Sequence, residues 1–181
     1  MGADTKAYSR VQESRTAYER VLLMVPGYRG YRGRDLIRGT DQLLRDQVSL
    51  RLKQALGSLK DGYKAVVNGG NMDLAADVDS GVRTRDKLNQ MVSHAASGYT
   101  GRWDPAKIMD SQLDRAVEFD ANLLEGAGAI AQGADMFRSA PTRDSMSTLR
   151  QQLEAFDRTF TSRKQVMLGL EEIGGGPGVR G

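Results

Sequence analysis

The chain has 181 residues, of which 39% are hydrophobic, 27% are charged and 6% are aromatic. This length and composition are typical of a single soluble globular or bundle domain and exclude an intrinsically disordered chain. The sequence has no cysteine, which excludes disulfides, thiolate metal sites and cysteine nucleophiles.

Charge is unevenly distributed along the chain. Residues 1–64 carry 13 Lys and Arg against 7 Asp and Glu, whereas residues 65–181 carry 13 against 16, for a net charge of +3. The basic first third either attracts anionic partners or complements the rest of the protein. The chain start lacks a signal peptide's apolar core, and no apolar run is long enough to span a membrane, so we expect a cytoplasmic protein.

Two helices are predicted in the first 68 residues, because apolar residues recur at steps of three and four. The first covers residues 5–24 and is ended by Pro26 and the glycines that follow. The second begins near Asp35, a suitable N-cap, and ends at Asn68, where Gly69 and Gly70 predict a left-handed stop. Their predicted core faces include Tyr18, Leu22 and Val25 in the first helix, and Ile37, Leu44, Val48, Leu52, Leu56, Leu59, Tyr63 and Val66 in the second.

A third helix is predicted from Asn71 or Asp73 to Gly98, and a fourth from the Asp104–Pro105 start signal. Each carries one charged residue on its apolar face, Arg85 in the third and Asp120 in the fourth. We expect these two to form a buried pair that fixes helix register. The fourth helix also contains a run of small residues at 126–134, which predicts a tightly packed helix seam.

The fifth helix follows the break at residues 140–142 and has the most regular spacing in the chain. Its apolar positions run from Met146 to Leu170 in a coiled-coil pattern, and Arg163 occupies the one remaining slot, either as a seam charge or turned outward. No segment alternates with a period of two, so no sheet is expected. The predicted fold is all-α, an elongated antiparallel up-and-down bundle of about five helices. It forms one domain over residues 1–172, followed by a flexible Gly-rich tail at 173–181.

The stretch Val25–Arg34 is the strongest candidate site, because it contains Gly-Tyr-Arg twice and then Gly-Arg. Arginines pair with phosphates and tyrosine rings stack on bases, so this pattern predicts a contact with a ligand, nucleic acid or anionic lipid. The same residues would also serve to cap a bundle, with tyrosine rings covering the core and arginines in water. Both interpretations are open for the candidate binding residues Tyr28, Arg29, Tyr31, Arg32 and Arg34.

Recognisable catalytic chemistry is missing from the sequence. It contains one histidine, His94, and no nucleotide-binding loop, dinucleotide fingerprint or nucleophile elbow. Asp73, Asp77 and Asp79 lie close together, but Gly81 stands where a calcium loop needs its next oxygen ligand. We therefore expect no enzyme activity, no cofactor and no metal site.

The VPGYRGYR sequence, with Tyr28–Arg32, the turn Gly98–Trp103, and Glu118–Asp120 followed by Leu123–Glu125, resembles uncharacterised bacterial helical proteins. The resemblance covers most of the chain and carries no known activity. The residues themselves favour a non-catalytic helical interaction or scaffold protein that associates with itself or with a protein partner. The alternatives are association with nucleic acid and peripheral binding to anionic membranes through the Gly-Tyr-Arg stretch.

Overall fold

The computed structural model describes residues 17–29, 34–94 and 110–174, with side chains over 17–29, 39–94 and 115–165. Within these ranges every regular element is an α-helix and no strand occurs. The prediction of an all-α fold is therefore confirmed. The helices are α1 (17–24), α2 (Arg34–Asn68), α3 (Met72–His94), α4 (Asp110–Ser139) and α5 (Arg143–Gly174).

The α2–α3 turn has the left-handed glycine that the sequence predicts. Gly70 adopts a φ of 72°, and the Asn71 N–H donates to the Val66 carbonyl at 3.2 Å, which satisfies a carbonyl at the end of α2. The Asn71 side chain then accepts a hydrogen bond from the Leu74 N–H at 3.2 Å and so caps α3. One asparagine thus ends one helix and begins the next.

The α4–α5 turn is closed by reciprocal capping bonds. The Thr142 hydroxyl accepts from the Ser145 N–H at 3.2 Å, and the Ser145 hydroxyl accepts from the Thr142 N–H at 3.1 Å. Pro141 directly precedes this cap, and a proline at this position prevents α4 from continuing. The predicted break at residues 140–142 is confirmed.

The chain divides into two compact units. Unit 1 comprises Met1–Leu44, Ala96–Leu124 and Thr161–Gly181, and unit 2 comprises Arg45–Ala95 and Glu125–Phe160. Helices α2, α4 and α5 each contribute residues to both units, whereas α3 lies in unit 2 and the described part of α1 in unit 1. The prediction of one domain over residues 1–172 stays a prediction.

In unit 2, contacts between consecutive helices show that these run antiparallel. Ser49 meets Ser93 and Leu52 meets Arg85, so position increases along α2 as it decreases along α3. In the same way Gly126 of α4 faces Phe156 of α5, while Gly133, further along α4, faces the earlier residues Leu149 and Gln152. The predicted antiparallel, up-and-down order is confirmed by these contacts and by the short turns.

Parallel neighbours α3 and α5 are joined by surface ion pairs in unit 2. Arg143 lies 3.3 Å from Asp73, and Arg150 lies 2.9 Å from Asp77. These charges are well exposed, so each pair contributes little to stability, about 0–1 kcal/mol. Because α3, α4 and α5 alternate in direction, α3 and α5 run parallel to each other.

The core face of α2 in unit 2 differs from the predicted one near its end. Leu56 is only partly buried and Tyr63 is 39% exposed, whereas Ala55 and Gly62 are buried. Gly62 lies directly against the ring of Phe137, so α2 meets α4 through a glycine that leaves no room for a larger residue. The prediction was correct at Leu59 and Val66 but wrong at Leu56 and Tyr63, where the smaller neighbouring residue faces the core instead.

The predicted core face of the first helix is correct at Val25 and wrong at Leu22. Val21 and Val25 are fully buried, whereas Leu22 is exposed. In the turn after α1, Gly27 has a φ of 85° and the Tyr28 N–H donates to the Val25 carbonyl at 3.1 Å. This turn carries Tyr28 into the core on the side of Val21 and Val25.

The predicted seams of α4 and α5 are confirmed over the described side chains. Along α5 the buried residues are Met146, Leu149, Leu153, Phe156, Phe160 and Arg163. The small-residue run of α4 packs closely, as predicted, with Gly126 against Phe156 and Gly133 against the amide of Gln152. No helix in the described ranges has the length and apolar character needed to cross a membrane.

Candidate functional site

Three charged side chains are buried together in unit 1. They are Asp41 of α2, Asp120 of α4 and Arg163 of α5, which are 3%, 0% and 6% exposed. Tyr28, from the turn after α1, is 2% exposed and joins them. We call these four residues the Arg163 cluster. It connects every described segment of unit 1.

The guanidinium of Arg163 holds both carboxylates. Its Nε donates to Asp120 Oδ1 at 2.7 Å, and its Nη2 donates to Asp41 Oδ1 at 2.7 Å. Both are charge-assisted hydrogen bonds of the short, strong type. Because the two bonds leave from different nitrogens of one planar group, they fix the positions of α2 and α4 relative to α5 within unit 1.

Tyr28 is a second partner of Asp120. Its hydroxyl donates to Asp120 Oδ2 at 3.3 Å, so the two oxygens of this carboxylate contact different side chains. Burial, and then the negative charge of Asp120, raise the pKa of the Tyr28 hydroxyl far above its ordinary value of 10.0. The ring packs against Tyr18, with centroids 5.8 Å apart.

The Arg163 cluster joins helices to one another through buried hydrogen bonds between charged and polar side chains. Its charged atoms are hydrogen-bonded to one another and are shielded from water. Removing one partner from such a buried pair leaves an uncompensated charge and costs about 3–5 kcal/mol. The cluster therefore links the four segments that carry its members.

The candidate binding residues of the Gly-Tyr-Arg stretch do not share one environment in the structure. Tyr28 lies in the core, where its ring is not accessible for stacking on a base, and this position favours the bundle-cap interpretation for that residue. Arg29 is exposed. Tyr31 and Arg32 lie outside the described residues, and Arg34 is the first residue of α2, with a side chain outside the described set.

The predicted pair of Arg85 with Asp120 is wrong. Arg85 Nε instead donates to the Leu52 carbonyl at 2.6 Å, and its Nη1 donates to Asp86 at 2.6 Å, all within unit 2. Asp120 pairs with Arg163 because α5 brings that guanidinium beside it in unit 1. Both charges on the apolar faces were identified from the sequence, but their partners were not.

Sequence reasoning missed Asp41. It occupies the slot between Ile37 and Leu44 in the three-four spacing of α2, so its position on the core face was open to recognition. Arg163 and Asp120 fill equivalent slots in their own helices. A charged residue in a seam slot on each of three helices is the signal that could have revealed the cluster.

In the described ranges, no three of His, Asp and Glu are arranged to hold a metal ion. His94 is exposed at the last position of α3. Comparisons of the chain with protein-family models, curated proteins and solved structures found no match.

Proposed function

We propose that the protein is a non-catalytic helical interaction protein that self-associates through α1. The supporting observation is the exposure of two adjacent leucines at the end of this helix, Leu22 at 41% and Leu23 at 87%. The opposite side of α1 carries the apolar residues Ala17 and Val21, which are buried. A helix that is apolar on both sides is usually covered on both sides.

A second copy of the chain is the occupant we propose for this surface. Glu19 and Arg29 are both exposed and lie on either side of the leucines along the chain. In a twofold contact the same patch meets itself in reverse, so Glu19 of one copy faces Arg29 of the other. Opposite charges before and after the leucines in the chain favour such a pairing. The bond from Tyr28 to Asp120 anchors the turn that carries Arg29.

The test is the oligomeric state as a function of protein concentration, measured by sedimentation or by light scattering. We expect a dimer that Leu23→Ser dissociates. Leu50→Ser is the matched control, because Leu50 is 49% exposed but lies on α2 in unit 2, and it should leave the dimer unchanged. A monomeric parent protein at all concentrations, or equal effects of the two substitutions, would contradict the proposal.

Charge exchange tests the twofold geometry. Glu19→Arg and Arg29→Glu should each weaken the dimer, because each places like charges opposite one another across the contact. The double variant exchanges the charges and should restore association. Failure of the double variant to recover would exclude the proposed pairing of Glu19 with Arg29, even if the leucines were still required.

The alternative function is binding of nucleic acid or anionic lipid by Arg29, Arg32 and Arg34. For duplex DNA, replacing all three with Gln should reduce the slope of log affinity against log salt by about 0.9 for each phosphate that an arginine no longer neutralises. A parent protein that binds none of DNA, RNA and anionic vesicles would exclude this alternative.

A further inference from the structure

We propose that unit 1 opens and closes as a separate cooperative unit, with the Arg163 cluster as its lock. The proposal does not depend on self-association. It rests on three observations: the partners in the cluster are far apart in the sequence, the cluster is charged, and unit 1 contains only one end of each of α2, α4 and α5.

The bonds of the cluster join segments that are far apart in the chain. Arg163 reaches Asp120 across 43 residues and Asp41 across 122, and Tyr28 reaches Asp120 across 92. Loss of the α5 segment would take the guanidinium from both carboxylates, and loss of any other segment would remove a hydrogen bond from a group that stays buried. Because a half-satisfied buried network is unfavourable, the segments should leave the closed state together rather than one at a time.

Charge makes this opening less costly than the opening of an apolar core of the same size. When unit 1 opens, two carboxylates and a guanidinium recover the water that they lose on burial. Unit 2 has no such cluster among its described residues, where Arg85 is the one buried charged side chain. Arg85 bonds a backbone carbonyl and its neighbour Asp86, so its partners do not connect distant side chains.

Only one end of each of α2, α4 and α5 belongs to unit 1. The unit contains the start of α2 up to Leu44, the start of α4 up to Leu124 and the end of α5 from Thr161. Helix ends can separate while the remainder of each helix keeps its hydrogen bonds. Opening would uncover buried side chains of Val21, Val25, Leu44, Leu123 and Leu124.

Hydrogen exchange of the full chain, followed by mass spectrometry, tests this proposal. We expect the amides of residues 41–44, 116–124 and 161–165 to exchange as one group, at least about tenfold faster than the slowest amides of unit 2. Exchange of both units in a single step at the same rate would overturn the proposal.

Substitution of each buried arginine gives a matched pair of variants. Arg163→Met should accelerate exchange in unit 1 by about 100-fold or more and leave the slow amides of unit 2 unchanged. Arg85→Met should accelerate exchange in unit 2 without changing the opening rate of unit 1. Equal acceleration of both units by Arg163→Met would show that they unfold as one.

A fully apolar version keeps the test decisive if Arg163→Met does not fold. It combines Asp41→Leu, Asp120→Leu, Arg163→Met and Tyr28→Phe, which removes every polar group of the cluster at once. Exchange in unit 1 should then become about tenfold slower or more, because opening no longer returns charges to water. Exchange that is no slower than in the parent would refute the role of the cluster in opening.

Discussion

Gly57→Ala and Gly62→Ala add the same methyl group to α2 and should change stability in opposite directions. Apart from the backbone of its own helix, a Cβ at Gly57 would have no atom within 4 Å, so this substitution gains helix propensity alone, about 0.4–1 kcal/mol. A Cβ at Gly62 would lie 2.6 Å from Cε1 and 2.7 Å from Cδ1 of Phe137. Carbon atoms in contact are separated by about 3.5–4.0 Å, so the ring must move by about 1 Å.

Phe137 has little freedom to make that movement. Its side chain is fully buried, and the Cα of Arg138, which is backbone, lies 3.5 Å from the same Cβ position. Overpacking of this kind costs about 1–3 kcal/mol. Because the gain in helix propensity is common to both substitutions, the free energies of unfolding of the two variants should differ by this cost, about 1–3 kcal/mol.

The assay is urea unfolding followed by the helical circular dichroism signal, with the midpoint and the slope fitted separately. Phe137→Leu combined with Gly62→Ala is the control, since a smaller side chain at 137 should reduce the cost of the added methyl group. Equal midpoints for Gly57→Ala and Gly62→Ala would refute the close approach of α2 to α4 at Gly62.

Three further substitutions test the core, the lock and a turn by the same unfolding assay. Phe156→Ala should cost about 3–5 kcal/mol, because this ring is buried against Gly126; a midpoint within error of the parent would contradict its packing. Tyr28→Phe removes a donor from Asp120 and should cost about 1–3 kcal/mol. Since the folded-state pKa of Tyr28 is raised, its contribution to stability is complete below the ordinary pKa of 10.0 and is lost as the pH rises above it. The parent protein should therefore lose stability more steeply above that pH than Tyr28→Phe does, and parallel curves would contradict this. Gly70→Ala places a Cβ at a φ of 72° and should cost about 1–2 kcal/mol, and an unchanged midpoint would refute the strain.

Much of the fold follows from local sequence signals. Helices α2 and α5 begin within a residue or two of the predicted positions, and the glycine stop at Gly70 and the break at Pro141 lie where the sequence indicates. Each of these features depends on residues within about one turn of one another, through capping bonds, backbone conformation or three-four spacing. Local interactions are visible in the sequence because their partners are adjacent in it.

The candidate site is different, because its partners are distant in the chain. The sequence identified Asp120 and Arg163 as charges on apolar faces, but charge alone does not say which opposite charge will be near. Asp120 illustrates this limit, because the sequence suggested Arg85 as its partner and the structure pairs it with Arg163. Tyr28 was likewise assigned to a surface or to a cap, and only the turn after α1 directs it to Asp120.

By itself, the sequence determined an all-α protein in which successive helices alternate in direction and carry single charged residues on their apolar faces. Tertiary structure decided the exact face of each helix and the pairing of its charges, because both depend on how closely neighbouring helices approach. Gly62 is buried and Tyr63 is not, since Phe137 occupies the space beside α2. In the same way Arg163 binds Asp41 and Asp120 because helix packing brings three distant segments within hydrogen-bonding distance of one guanidinium.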